Sequence, residues 1–260
     1  MINLLELEKK LESICPLEIS KAFIEKGHYD NSGAIIKQND KVSKILFALD
    51  INKRVVEKAL DENFDTIITH HPAIYQPVKS LDIETIQGEV LLKAIKGGLN
   101  VYSMHLNLDG ATGGIDDSLA MGLGAKKSVV IDKVYGKNGY GKEFNVEKQS
   151  FGDYVKKVAV TFETERIIYY GDEKMPVTKV ASFCGGGSDD ALLYNGSADV
   201  IVTSDMPHHV ITQIVEKGKG LILLTHYASE IYGFKVFFEK MRAMLLGACE
   251  CHLFEDVRYK

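Results

Sequence analysis

Apolar runs that break off into histidine and acidic residues place the strongest constraint on how this chain can fold. FDTIITHHP ends in His70 and His71, LNVYSMH in His105 with Asp109 in the following loop, and LILLTHYASE in His226 with Glu230. KILFALD and ADVIVTSD end in the same way, on Asp50 and Asp205. Each run is short and rich in large or β-branched apolar side chains, as expected of a strand buried on both faces. Between the runs lie stretches with helical spacing, such as INKRVVEKALDEN and GEVLLKAIKGG; the glycines closing the second suit a left-handed C-cap. This alternation builds a largely parallel sheet with helices on its faces, and such a sheet binds ligands beyond the carboxyl ends of its strands. A satisfied core histidine could explain one polar strand end; it does not cover all of them.

The chain has 260 residues, enough for one large domain built on a wide sheet or for two modest ones, each with its own core. The reading is an α/β protein of two linked lobes with mixed or largely parallel sheets. Residues 1–124 form the first lobe and 125–230 the second, while 231–260 return to the first as a terminal helix and a short strand. A metal site is expected between the lobes. Leu4, Leu5, Leu7 and Leu11 predict an opening helix, stopped near Pro16. From Lys126 to about Glu165 the alternation is less regular, and KNGYGKEF reads as a turn between short strands.

Composition narrows the function. Hydrophobic residues make up 45% and charged residues 26%, which places the chain with soluble globular proteins. A net charge of -5 argues against a nucleic-acid surface, which needs a concentrated basic patch. No apolar run reaches bilayer-spanning length, and MINLLELEKKLESIC lacks a signal-peptide profile, so a cytoplasmic protein without membrane contact is expected. The four cysteines, Cys15, Cys184, Cys249 and Cys251, form no disulfide framework by spacing.

Imidazole and carboxylate together suit one or two divalent ions, with zinc, iron and manganese not distinguished. His226 and Glu230 stand four apart and share a face if the chain is helical from His226. Glu230 has two oxygens and could bridge two ions. His70 and His71 would point to opposite faces of an extended strand, but a turn at its exit brings both to one cluster, with Pro72 restricting His71. His105 is a candidate for acid–base work or for a structural role. His208 and His209 open a helix after Asp205, as proton donors, as anion contacts or as a solvated helix start. The loop CGGGSDD at Cys184–Asp190 is an anion-binding turn or a tight structural one, with Ser188 as the N-cap.

These residues coincide with a known pattern. The sequence resembles the GTP cyclohydrolase I type 2 homologs, the Nif-three-like family, in the short form without an inserted domain. The resemblance runs along essentially the whole chain. It rests on YDNSG at Tyr29–Gly33, ALD ending at Asp50, THHPAIYQP at Thr69–Pro77, HLNLDGATGGIDD at His105–Asp117, CGGGSDD, TSDMPHH at Thr203–His209 and HYASE at His226–Glu230. Tyr29 stands where tryptophan is common, and Ser204 where glycine is frequent; neither departure removes a ligand. The resemblance implies a dinuclear metal site on His70, His71, Asp109, His226 and Glu230, leaving His105 outside the ligand set. It also implies a homohexamer. The function expected is a metal-dependent hydrolase of a small nucleotide-like or phosphorylated metabolite, GTP cyclohydrolase-like, with His105, His208 and His209 as proton-transfer candidates. The alternative is a noncatalytic metal-binding regulatory or scaffold protein.

Overall fold

A computed structural model describes residues 1–259, which divide into two compact units. The first comprises Met1–Leu108 and Phe237–Asp256. Its elements are β1 (Ile2–Asn3), α1 (Leu4–Ile14), α2 (Leu17–Glu25), β2 (Gly33–Ile36), β3 (Lys41–Val42), β4 (Lys44–Ala48), α3 (Lys53–Asp61), β5 (Thr66–Thr69), α4 (Ile86–Lys96) and β6 (Asn100–Ser103), with β13 (Glu250–Phe254) from the end of the chain. The sheet order is β13-β4-β5-β6-β2. Its first four strands are parallel and only β2 runs against them. Val56, Ala59, Ile67, Ala94 and Val101 pack a fully buried core between sheet and helices.

Register matters more here than strand count. Ala48 pairs with Thr69 and Thr69 with Ser103, so three strands end level. Asp50, His70–His71 and His105 therefore leave the sheet along one edge. At the other end of the sequence logic, Asn3 caps α1 by a reciprocal capping box with Glu6. Leu4, Leu7 and Leu11 are buried as the spacing predicts, whereas Leu5 faces solvent at 58% exposure, so the apolar stripe is narrower than the sequence suggests.

The second unit comprises Asp109–Val236 and the chain from Val257. The short helix α5 (Leu106–Gly110) leads into it. There follow α6 (Ile115–Gly122), β7 (Ser128–Tyr135), β8 (Asn138–Ser150), α7 (Phe151–Thr161), β9 (Ile168–Tyr170), β10 (Pro176–Ser182), α8 (Ser188–Leu193), β11 (Val200–Thr203), α9 (His208–Glu216), β12 (Gly220–Leu223) and α10 (His226–Met244). The sheet order is β7-β8-β10-β11-β12-β9, with β10, β11 and β12 parallel at its centre. Ser182 pairs with Val202 and Thr203 with Leu223, so Cys184, Asp205 and His226 follow neighbouring strand ends.

Two local features differ from the sequence expectation. The stretch read as short strands around a turn is one long hairpin, β7–β8, closed where Gly136 adopts φ +58°. β7 is exposed or half-buried throughout, so it has no apolar alternation to reveal it. The compact units also divide at Leu108 rather than near Gly124. Asp117 and Asp116 of α6 lie 3.0 and 3.9 Å from the Lys142 ammonium on β8, and the Tyr154 hydroxyl donates to the Leu123 carbonyl at 3.0 Å. These contacts hold α6 to the second unit. Among the described residues no helix is long and apolar enough to cross a membrane.

Candidate metal centre

In the first unit, the turn after β5 is braced from both sides. The Thr69 hydroxyl donates to the His71 carbonyl at 2.7 Å, and the His71 amide donates to the Leu49 carbonyl at 2.9 Å. The turn breaks the strand's alternation and brings the His70 and His71 rings to 4.8 Å between centroids. His105 joins them, 5.3 Å from His70 and 5.9 Å from His71. One ligand-capable atom from each of the three histidines lies within 4.8 Å of the others.

The other ring nitrogen of each is held. His70 Nδ1 lies 2.7 Å from the Met104 carbonyl oxygen. A carbonyl only accepts, so Nδ1 carries the proton and Nε2 keeps its lone pair. His71 Nδ1 meets Asp50 Oδ1 at 2.7 Å, and His105 Nδ1 meets Asp30 Oδ1 at 2.7 Å. Asp30 is buried, which by itself would raise its pKa; hydrogen bonds from His105, Ser20 and Ser32 outweigh this and hold the carboxyl below the ordinary range. A carboxylate or carbonyl behind each imidazole fixes ring and tautomer and makes Nε2 a better donor to a metal.

The second unit supplies acids. The chain is helical from His226, so His226 and Glu230 share a face, with His226 Nε2 2.9 Å from Glu230 Oε1. Adjacent donors bound to one ion at about 2.0–2.2 Å stand roughly 3 Å apart. Asp205 Oδ2 holds His226 Nδ1 at 2.6 Å, repeating the arrangement behind His71 and His105. Asp109 is 4% exposed and Glu230 2%.

The loop CGGGSDD organises these groups. The Cys184 thiol donates to Asp109 Oδ1 at 3.4 Å, and its amide donates to Asp116 Oδ1 at 3.3 Å. The Gly185 amide donates to the Ser229 hydroxyl at 3.0 Å, which in turn donates to the His226 carbonyl at 2.8 Å. Gly185 has φ +57°, and a Cβ there would stand 2.4 Å from Glu230 Oε1 and 3.3 Å from His226 Nε2. A glycine is therefore required both by the backbone and by the carboxylate beside it. Burial pushes the Cys184 thiol well up, as do the charges of Asp109, Asp116 and Glu230. Burial also raises Asp116 to about 7, against the opposing charge of Lys142.

The donor set fits divalent ions. Imidazoles grouped with carboxylates suit one or two such ions, and the residue types do not select one metal. The cradle left by Gly185 beside Glu230 and His226 agrees with that chemistry.

Other sequence candidates stand apart. His208 and His209 open α9 and are exposed, and neither enters a group of three ligand-capable residues among those described. Ser188 is the first residue of α8 rather than its cap, and Gly187 at the cap position makes no side-chain bond. Asp30, Ser20 and Ser32 were not singled out individually by spacing, because they follow no strand. Asp30 and Ser32 were signalled only by the YDNSG string, and Ser20 by nothing. Asp116 lies in the HLNLDGATGGIDD string, but its pairing with Lys142 joins a helix to a distant strand and could not be read from spacing.

Comparison with known proteins agrees with this fold. The family model described as Duf34/NIF3 (NGG1p interacting factor 3) matches residues 2–256. A protein of Clostridium perfringens named GTP cyclohydrolase 1 type 2 homolog is 29% identical over 227 residues, covering 85% of this chain and 84% of its own length. One of the same name from Clostridium acetobutylicum is 27% identical over 242 residues, covering 90% and 88%. Among solved structures, a Bacillus cereus protein related to NIF3 superposes with a TM-score of 0.85 at 21% identity, over 98% of this chain and 97% of that one. Reduced HcgD from Methanocaldococcus jannaschii superposes with a TM-score of 0.81 at 23% identity, over 98% of each. Matched along nearly its whole sequence, the chain belongs to the Duf34/NIF3 family.

Proposed function

We propose that this protein is a metal-dependent hydrolase of a small nucleotide-like metabolite, with His70, His71, Asp109, His226 and Glu230 as the ligands of a two-ion centre. The observation that carries the reading is the common arrangement of His70, His71 and His226. Each has Nδ1 engaged by an oxygen acceptor, and His226 Nε2 faces Glu230 Oε1 at 2.9 Å. Core histidines have no reason to repeat that geometry at successive strand ends. When bound, divalent ions supply Lewis acidity and lower the pKa of water. Glu230 is the bridging candidate, since a carboxylate offers two oxygens. His105 lies beside His70 and His71, with Asp30 on Nδ1, and its Nε2 is suited to moving a proton. His208 and His209 are weaker candidates for this work, being exposed on α9.

The relatives named GTP cyclohydrolase 1 type 2 homolog make GTP the first substrate to try. Metal-depleted protein is reloaded with zinc, iron(II) or manganese(II), incubated with GTP, and assayed for formate. The reading predicts metal-dependent formate release that Asp109→Asn abolishes. If no metal loading consumes GTP or any member of a nucleotide panel, the hydrolase reading fails and a binding or scaffold role takes its place. We further propose a homohexamer, as the family resemblance implies. Light scattering at the monomer mass of 28.9 kDa across a concentration series would contradict it.

A further inference from the structure

The first unit carries an aromatic pair that the metal reading leaves unused. Tyr29 directly precedes Asp30, the residue that holds His105. Tyr75 lies in the loop that leaves His71. Their rings meet edge to face, with centroids 4.9 Å apart and planes at 72°. Tyr75 in turn stands against His105, 6.1 Å away at 89°. The two loops are tied together, because the Asn31 side-chain amide donates to the Ile74 carbonyl at 2.6 Å. Ile74 itself packs on the first unit's core. The tyrosines are therefore held beside the imidazole cluster and are not on a free-swinging surface loop. Yet Tyr29 is 39% exposed and Tyr75 44%, in a chain that buries Tyr102 and Tyr154 almost completely.

Large rings usually contribute by burial, and a braced ring left half-open beside a chemical site has a face to offer. Hydrogen bonding to a sugar or a phosphate does not need such a face. A flat, electron-delocalised ring does. We propose that Tyr29 and Tyr75 form a stacking wall that selects substrates carrying a nucleobase-type heteroaromatic ring and places that ring beside His105. The proposal rests on the metal-hydrolase reading for what happens next, but the recognition itself does not require an ion.

Binding of guanosine monophosphate and of ribose 5-phosphate tests it, on both metal-loaded and metal-depleted protein. The chain has 12 tyrosines and no tryptophan, so quenching of tyrosine emission reports the wall, and calorimetry supplies affinities. Wild-type protein should bind the nucleotide about tenfold or more tighter than the sugar phosphate, within the range that base–aromatic stacking provides. Tyr75→Leu and Tyr29→Leu should each cut that preference severalfold, and Tyr75→Phe should retain it. All three should keep the metal content and melting behaviour of the wild type, since the rings are half-exposed. Equal binding of the two ligands by wild-type protein overturns the proposal, as does an unchanged preference in both leucine variants. Failure of the metal reading looks different: ions fail to bind while the preference for the heteroaromatic ligand persists in metal-depleted protein.

Discussion

The first unit offers imidazoles and the second offers mainly carboxylates, and the two sets are supported in different ways. His70, His71 and His105 each have one ring nitrogen satisfied by an oxygen within the first unit. Asp109 and Glu230 are acids in a water-poor setting, where a charge is expensive to hold. The imidazole set is thus compatible with a stable metal-free fold, whereas the acidic set gains most from a cation.

The largest effect should come from exchanging that logic. Glu230→Gln removes a buried acid while nearly preserving its shape. It should weaken metal binding by more than about 100-fold, yet leave the metal-free protein as stable as wild type or up to about 1 kcal/mol more stable. His70→Ala should weaken metal binding too, but should destabilise the metal-free protein by about 2 kcal/mol, because it empties a fully buried position and strands the Met104 carbonyl. Calorimetric metal titration and thermal melts with and without chelator separate the two. Like signs for the metal-free stabilities of the two variants would erase the contrast.

Gly185→Ala sharpens the point within the second unit. Its Cβ would stand 2.4 Å from Glu230 Oε1 at φ +57°. The strain should cost on the order of 1–3 kcal/mol, and displacement of Glu230 should lower metal affinity as well. Denaturant melts and metal titration check both losses.

Next come the carboxylates behind the histidines. Asp50→Asn in the first unit and Asp205→Asn in the second should each reduce metal affinity by roughly 10–100-fold with little change in fold, because each removes the carboxylate charge behind an imidazole and lets an amide donate to Nδ1, which moves the ring proton to Nε2. A loss confined to one variant would show that only one unit orients its ligand in this way.

A pH dependence of the metal-free protein is expected as well. Asp116 has its pKa raised to about 7 by burial, above the ordinary 3.8 it regains on unfolding. The contribution of its protonated form to stability is complete below about 4 and is lost as pH rises through about 7. Stability should therefore decline between those values by on the order of a few kcal/mol, and Asp116→Asn should flatten that decline. Urea melts between pH 5 and 8 would show it; an identical slope in the variant would remove Asp116 as the cause.

How much of this was legible beforehand follows from the physics of each part. Buried parallel strands write themselves as apolar runs, so β4, β5, β6, β11 and β12 and the residues at their ends were readable. Helix spacing joined His226 to Glu230. The β7–β8 hairpin was not readable at its true length, because β7 packs too little of its surface to impose a pattern. The supports behind the histidines were half legible. Asp50 and Asp205 end strands and stood out, but their bonds to His71 and His226 depend on register, which spacing does not supply. Asp30 and the Cys184–Asp109 contact required the fold, and Gly185 could be named as a glycine needing close approach without showing what approached it.

The most direct test of the central claim is anomalous diffraction at the absorption edge of the bound metal, with the stoichiometry measured on the same preparation. The account predicts one or two divalent ions per chain, bound by His70, His71, Asp109, His226 and Glu230, with two ions, where present, sharing Glu230. Ions found elsewhere with these five residues uninvolved, or a chain that holds no divalent ion after loading, would contradict it.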